Sequence, residues 1–288
     1  MISPKRGTQG LKLQRLEPGL RKVRGDQVAV EEPLEIRIEY LDSGSWKTRS
    51  VSVTMRTPGY DFELAAGFLF TENILESREQ VREISYCQGE ADQEYNVLSV
   101  RLREDVRFDP GLLTRNFYMS SSCGVCGKAS IEAVEVRGCE PLPSGLFSLP
   151  AVVLSGLPDL LLAGQAGFQR TGGLHAAGLF NSQGKPEVIR EDVGRHNAVD
   201  KVVGTGFLNG ELPFQERALV VSGRTSFEII QKAVAAGIPC VVAVGAPSSL
   251  AVDLARRFNL TLVGFARPGG FNLYTGEERV LDWEALGP

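Results

Sequence analysis

The sequence predicts a mixed α/β and α+β protein, a small α+β unit followed by a larger α/β unit, and three observations carry that prediction. At 288 residues the chain has length for about two domains. Between residues 34 and 102, short runs alternate apolar with polar residues, the period of half-buried strands, around one helical stretch. From 218 to 265, near-continuous Val/Ile/Leu runs alternate with helix-period segments, the pattern of parallel strands covered on both faces. We divide the chain into a basic leader (1–27), a small α+β domain (28–115) and an α/β domain (116–288).

The leader carries Lys5, Arg6, Lys12, Arg15, Arg21, Lys22 and Arg24 against Glu17 alone among its first 25 residues, in a chain of net charge −4. Such a run is expected to be a flexible, solvated tail. Lys and Arg elsewhere are interspersed with acids, so no nucleic-acid partner is expected. Leu34, Ile36, Ile38 and Tyr40 alternate with polar residues, as do Val51, Val53 and Met55 beyond Asp42-Ser43-Gly44, which predicts a hairpin. Pro58-Gly59 breaks the pattern, and Asp61 is placed to cap a helix with Leu64, Ala65, Phe68 and Leu69 on one face. Strands follow around Ile84 and Tyr86 and over Leu98, Val100 and Leu102. In the second unit, β runs at 218–222, 239–244 and 260–265 enclose helices at 225–236 and 248–258. Thr225 and Glu228 have the spacing of a capping box, and Gly237 is placed as that helix's stop.

Composition excludes several classes. With 43% hydrophobic and 23% charged residues, collagen-like, low-complexity and disulfide-scaffold chains drop out. Five cysteines, two of them in a Cys-x-x-Cys pair, suit a reducing compartment. The first thirty residues lack the apolar core of a signal peptide, and no apolar run approaches the ~18 residues a bilayer requires. The expectation is a soluble cytoplasmic protein with no membrane partner.

The pair itself lies in Ser120-Ser121-Ser122-Cys123-Gly124-Val125-Cys126-Gly127-Lys128, ahead of a helix expected over 129–136. A thiol before a helix N-terminus and near a lysine feels a field that favours thiolate. Structural zinc would need a second ligand pair at fixed spacing, which Cys87, Cys139, Cys240, His175 and His196 do not supply. A thioredoxin-type dithiol belongs after a strand, whereas this context is a serine-rich loop. Handling of a persulfide remains beside redox exchange, and spacing alone does not separate the two. Cys87 and Cys240 lie in apolar strands and are expected in the core; Cys139 lies in a loop with nothing adjacent to activate it.

Both histidines sit in polar blocks. Thr171-Gly172-Gly173-Leu174-His175-Ala176-Ala177 leads into a β run. Glu191-Asp192-Val193-Gly194-Arg195-His196-Asn197-Ala198-Val199-Asp200-Lys201 leads into a helix, with Asp192 as expected N-cap and Arg195, His196 and Asn197 in the first turn, where the dipole favours an anion. Strand ends in open α/β sheets hold ligands. Here they are Ser222-Gly223-Arg224-Thr225, Gly245-Ala246-Pro247-Ser248 and Phe265-Ala266-Arg267-Pro268-Gly269-Gly270, two of which carry an arginine suited to phosphate.

The Ser-Ser-Cys-Gly-Val-Cys-Gly block, Thr-Gly-Gly-Leu-His-Ala-Ala, Glu-Asp-Val-Gly-Arg-His-Asn-Ala-Val-Asp-Lys and Ser-Gly-Arg-Thr-Ser-Phe-Glu, in this order, resemble the FdhD family of formate dehydrogenase accessory sulfurtransferases, over roughly residues 30 to 280. The resemblance implies a homodimer whose larger domain has a cytidine-deaminase-like fold. It implies transfer of sulfur from a cysteine desulfurase, as a persulfide, to the molybdenum or tungsten bis(molybdopterin guanine dinucleotide) cofactor used by formate dehydrogenase. Cys123 matches the persulfide-bearing cysteine, Cys126 the second thiol, and Phe265 to Gly270 a stretch associated with that cofactor, which is bound as substrate. We expect the remaining contacts from Thr171, Gly172, Gly173, His175, Asp192, Arg195, His196, Ser222, Gly223, Arg224 and Thr225. Zinc-deaminase chemistry is set aside: the His-x-Glu and Pro-Cys-x-x-Cys ligand sets are missing around His175, His196 and Cys240, and no protein-held metal is expected. Two alternatives stay open, a cofactor-binding chaperone without covalent sulfur transfer and a zinc-binding interaction module.

Overall fold

Along residues 218–221, Ala218 and Val220 face one side and Leu219 and Val221 the other, and all four are buried. Burial on both faces is what a central strand requires. The computed structural model describes residues 7–87, 95–111 and 139–287. Cys123, Cys126 and the helix expected over 129–136 lie outside the described residues.

The first half runs β1 (Thr8–Glu17), β2 (Leu20–Ala29), β3 (Glu32–Asp42), β4 (Ser45–Arg56), α1 (Asp61–Thr71), β5 (Val81–Tyr86) and β6 (Val97–Leu102). The second runs β7 (Leu149–Pro150), α2 (Ala151–Ala163), α3 (Ala166–Thr171), β8 (His175–Phe180), β9 (Pro186–Asp192), α4 (Arg195–Asn209), β10 (Ala218–Val221), α5 (Phe227–Ala235), β11 (Cys240–Ala243), α6 (Ser249–Arg257), β12 (Thr261–Arg267), β13 (Gly270–Thr275) and β14 (Val280–Leu281). This is the mixed α/β and α+β architecture the sequence predicts.

The leader differs from expectation. Its residues 8–29 are not an unpaired tail but a β1–β2 ribbon in continuous antiparallel register from Thr8↔Ala29 to Glu17↔Leu20, turned at Pro18-Gly19. The predicted β3–β4 hairpin forms, and β6 and β5 extend it into a sheet of order β4-β3-β6-β5. Leu34, Ile36 and Ile38 from β3 pack against Leu64, Ala65 and Leu69 of α1. Asp61 is the first helical residue rather than the cap, because Tyr60 takes a left-handed conformation before it. The Asp61 carboxylate instead pairs with buried Arg56 at 3.0 Å and accepts from the Tyr86 hydroxyl at 2.9 Å.

The larger sheet has the order β13-β12-β11-β10-β8-β9. Its centre, β10-β11-β12, is parallel as predicted, but β8 and β13 run antiparallel to that centre and β9 pairs antiparallel with β8. Helix α2 covers one face, with Leu154, Leu157 and Leu161 against Ala218, Val220 and Val242. Helices α4, α5 and α6 cover the other, with Val202, Ile230 and Leu254 against Leu219, Val221 and Val241.

Helix α1 crosses α4 at two glycines. A Cβ on Gly67 would stand 1.9 Å from the Asp200 carbonyl oxygen, and one on Gly204 would stand 1.8 Å from that of Glu63. No side chain larger than hydrogen fits there, so the helix backbones touch. Beside the crossing, the buried Lys232 ammonium donates to Asp200 Oδ1 at 2.8 Å and to Thr71 Oγ1 at 2.9 Å, joining α5, α4 and α1.

Candidate functional site

Because β8 runs against β10 and β9 runs back against β8, the start of β8, the end of β9 and the carboxyl ends of β10, β11 and β12 all open on one sheet edge. His175 stands opposite Asp192 in the β8–β9 register. The Ser222 hydroxyl accepts from Ala176 N at 2.9 Å, and Ser222 N donates to Ala176 O, so this side chain closes the sheet end. Gly223 lies against the His175 ring. A Cβ on Gly245 would come 3.0 Å from the Arg224 backbone, and Gly245 O accepts from Phe265 N at 3.2 Å. Thus Ser222 to Thr225, Gly245 and Phe265 form one continuous rim.

The glycine block before β8 serves mainly to end α3. Gly172 is left-handed, and the Thr171 hydroxyl donates to Gly167 O and accepts from Gly173 N. Those hydrogen bonds are local to the end of α3. Phe265 to Gly270 are expected as the segment beyond the 260–265 strand, which instead continues to Arg267. They form the bulged tip of the β12–β13 hairpin, with Arg267 paired to Gly270, Pro268-Gly269 at the turn, Ala266 buried, and Phe265 and Arg267 exposed.

Asp192 is neither the N-cap nor a group within a ligand's reach, since it is fully buried and Gly194 caps α4. Its Oδ1 accepts from Gly194 N (2.8 Å) and Asn197 Nδ2 (3.0 Å); its Oδ2 accepts from Thr57 N (3.1 Å) and pairs with the Lys201 ammonium at 2.7 Å. Asp192 therefore sets the turn that presents Arg195 and His196. Thr57 and Lys201 join it from other elements, a contribution that local spacing does not reveal.

The expected capping box does not form. Ser226 is the N-cap of α5, without a side-chain cap bond, and Glu228 turns to His196, whose Nε2 lies 3.0 Å from Glu228 Oε2 and 3.1 Å from Ser226 Oγ. The hydrogen bond from His196 holds the Glu228 carboxyl below its ordinary range. His175 is pushed the other way for an imidazole: burial lowers its pKa, the Arg195 guanidinium and the neighbouring His196 ring lower it further, and Asp192 opposes.

Two polar atoms in this cluster, Arg195 Nε and Thr225 Oγ1, are buried without a hydrogen-bond partner among the described residues. Leaving a buried donor unmatched costs about 1–3 kcal/mol. The N-termini of α4 and α5 also lack side-chain caps, so their leading N–H groups add partial positive charge at the same edge. With exposed Arg224 and Arg267 the rim is a cradle for an anion. Among the described residues, no three His, Cys, Asp or Glu side chains gather to hold a metal ion, and no helix is long and apolar enough to cross a membrane.

The remaining thiols follow burial. Cys240 is buried in β11, which pushes its pKa up to about 12, and partial burial raises that of Cys87. Cys139 is half-buried and packs against the larger core.

Comparison with known proteins bears on these same segments. A relative from Streptomyces coelicolor named sulfur carrier protein FdhD is 47% identical over 286 residues, 98% of this chain and 99% of the relative. One of the same name from Nocardia farcinica is 49% identical over 278 residues, 96% and 95% of the two chains. A crystal structure described as a formate dehydrogenase accessory protein from Desulfotalea psychrophila superposes with a TM-score of 0.73 at 28% identity, covering 95% of this chain and 99% of that one. The FdhD/NarQ family model matches residues 29–281, which include the Cys-x-x-Cys block and every segment of the cradle, and with near half-identity to full-length relatives the chain belongs to the FdhD/NarQ family.

Proposed function

We propose that the protein is a sulfur carrier for formate dehydrogenase, and that it works as a sulfurtransferase through a persulfide on Cys123. The observation that carries the acceptor half of this reading is the cradle: two uncapped helix N-termini, Arg195, Arg224 and Arg267, with buried Arg195 Nε and Thr225 Oγ1 unmatched. That donor set fits the pyrophosphates of a molybdenum or tungsten bis(molybdopterin guanine dinucleotide) cofactor bound as substrate. The names of the relatives support the carrier half.

In the loading step, the Cys123 thiolate attacks the terminal sulfur of a cysteine desulfurase persulfide. A new S–S bond forms on Cys123, the donor's S–S bond breaks, and the donor cysteine leaves as thiolate. In the transfer step the S–S bond on Cys123 breaks, the outer sulfur passes to the cofactor substrate with two electrons from its reduced metal, and Cys123 leaves as thiolate, while the arginines and helix N-termini hold the phosphates. Neutral His175 sits among these cations without adding to their repulsion.

Intact-mass measurement after incubation with a cysteine desulfurase and cysteine tests the proposal. Wild type and Cys126→Ala should gain one sulfur atom, and Cys123→Ala none. Sulfur on Cys123→Ala but not on Cys126→Ala reverses the assignment of the two thiols. No gain on any form favours a chaperone that only binds the cofactor, and stoichiometric zinc in the purified protein favours an interaction module. For the cradle, Arg224→Ala and Arg267→Ala should weaken a guanosine diphosphate probe by about 1.5–3 kcal/mol each, the range for hydrogen bonds to charged groups. Unchanged affinity in both removes the cradle from the site.

A further inference from the structure

We infer that the β1–β2 ribbon is an exchange arm, lying in the dimer across the α2 and C-terminal face of a second copy of this chain. The ribbon joins no other sheet among the described residues and touches its own body near its base, where Ala29 lies against Gly173. Ten residues per strand make it about 30 Å long. Leu16 and Val23 are each 72% exposed, an arrangement a free two-stranded ribbon sustains poorly in water. Such a ribbon calls for a cover.

Its chemistry says what the cover must be. The register puts exposed Leu11, Leu20 and Val28 on one face with Arg15, Lys22 and Arg24 beside Glu17 and Asp26, and exposed Leu16 and Val23 on the other with Lys12 and Arg21. Lys22 and Arg24 form no ion pair among the described residues, Arg15 pairs with Glu17, and Lys12 and Arg21 meet no acid on their own face, so the ribbon as a whole is both apolar and cationic. An apolar, acidic surface complements it.

The body of the same chain carries one. Exposed Leu160 on the outer side of α2 lies near exposed Leu281 and Trp283, the last 65% exposed, because β14 pairs with β7 at the start of α2 and the following turn packs on that helix. Asp159, Asp282 and Glu284 are exposed among them, and the one cation of residues 277–287, Arg279, is buried and paired with Glu278 at 2.6 Å. Apolar groups and charges of opposite sign thus occur on arm and body of each copy, as a reciprocal two-fold exchange requires. Two ribbons about 30 Å long and about 10 Å wide would together bury on the order of 1,200 Å², enough for a specific dimer. The ribbon also precedes the family-matched residues 29–281, while the Streptomyces relative aligns over 98% of the chain. The Streptomyces relative therefore shares the ribbon segment.

Light scattering and sedimentation of the full chain test this. Wild type should be a dimer. Lys22→Glu with Arg24→Glu should weaken it at least tenfold, and Asp282→Lys with Glu284→Lys should do the same. Mixing these two variants should restore association as a 1:1 heterodimer, because each reversed arm then meets a reversed body. All four positions are exposed, so circular dichroism should be unchanged. A monomeric wild type, a dimer indifferent to both reversals, or loss with the arm variant alone and no recovery on mixing overturns the proposal; the last result assigns the arm to a different acidic partner.

Discussion

Lys201 places its ammonium 2.7 Å from the Asp192 carboxylate, and neither side chain is more than 1% exposed. The same ammonium donates to the carbonyls of Thr57 at 3.0 Å and Glu191 at 3.2 Å, so one cation fastens the end of β4, the end of β9 and the first turns of α4. Removing one member of a buried pair strands the other, at a cost of about 3–5 kcal/mol. Lys201→Met should therefore lower unfolding free energy in denaturant by about that much, and Asp192→Asn in the same chain should recover part of the loss. A loss on Lys201→Met below about 1 kcal/mol contradicts the clamp.

The α1–α4 crossing makes a sharper steric prediction. Gly204→Ala puts a methyl 1.8 Å from the Glu63 carbonyl, where relief requires moving a helix rather than a side chain. The loss should reach or exceed the ~1–3 kcal/mol of ordinary overpacking. Gly156→Ala in α2, with open space around it, should be neutral or stabilising by up to about 1 kcal/mol. Equal melting temperatures for the two variants would dismiss the crossing as a constraint.

Cys240 sets an alkaline window. Unfolded, the thiol ionises near its usual value of 9.0; folded, it holds its proton to about 12. Between those limits the unfolded chain binds fewer protons, so stability falls as pH rises from about 9 to about 12. Cys240→Val should flatten that part of the stability profile. An unchanged slope would locate the loss in other groups.

His175 sets an acid-side window. Its folded pKa lies below 6.5, so the native protein binds fewer protons than the unfolded chain as pH drops past that point, and stability declines on acidification. A phosphate seated beside Arg195 and His196 would offset their charge and raise the His175 pKa, so guanosine diphosphate binding should take up a proton near pH 6. Calorimetry in two buffers of different ionisation heat measures that uptake. It should vanish in His175→Gln, and an affinity constant in pH from about 5.5 to 7.5 would separate His175 from the cradle.

What sequence made legible is what leaves a local record. The runs around Val220, Val242 and Val263 are apolar on both faces because they are covered twice, and Ile36 and Ile38 alternate because β3 is covered once. The cradle loops were visible because glycine and arginine follow buried strands. The ribbon was missed because cations obscure the alternation of Leu11 and Leu13, although Pro18-Gly19 marked its turn. The capping box failed because Glu228 has a stronger partner in His196, which no spacing within α5 records. Asp192 is expected as an N-cap in contact with the cofactor, and its buried role escapes local spacing because its anchors Thr57, Asn197 and Lys201 all come from outside its own strand.

Helix α4 begins at the cradle with Arg195 and His196 and meets α1 at Gly204. Nine residues of rise separate Arg195 from that contact, about 13 Å, so a single helix carries the glycine crossing at one point and the anion-facing turn at another. A rocking of about 10° there sweeps Arg195 through about 2 Å, the difference between gripping a phosphate and missing it. A substitution that shifts α1 on α4 at the glycines would thus reach the anion site along the helix, without touching it.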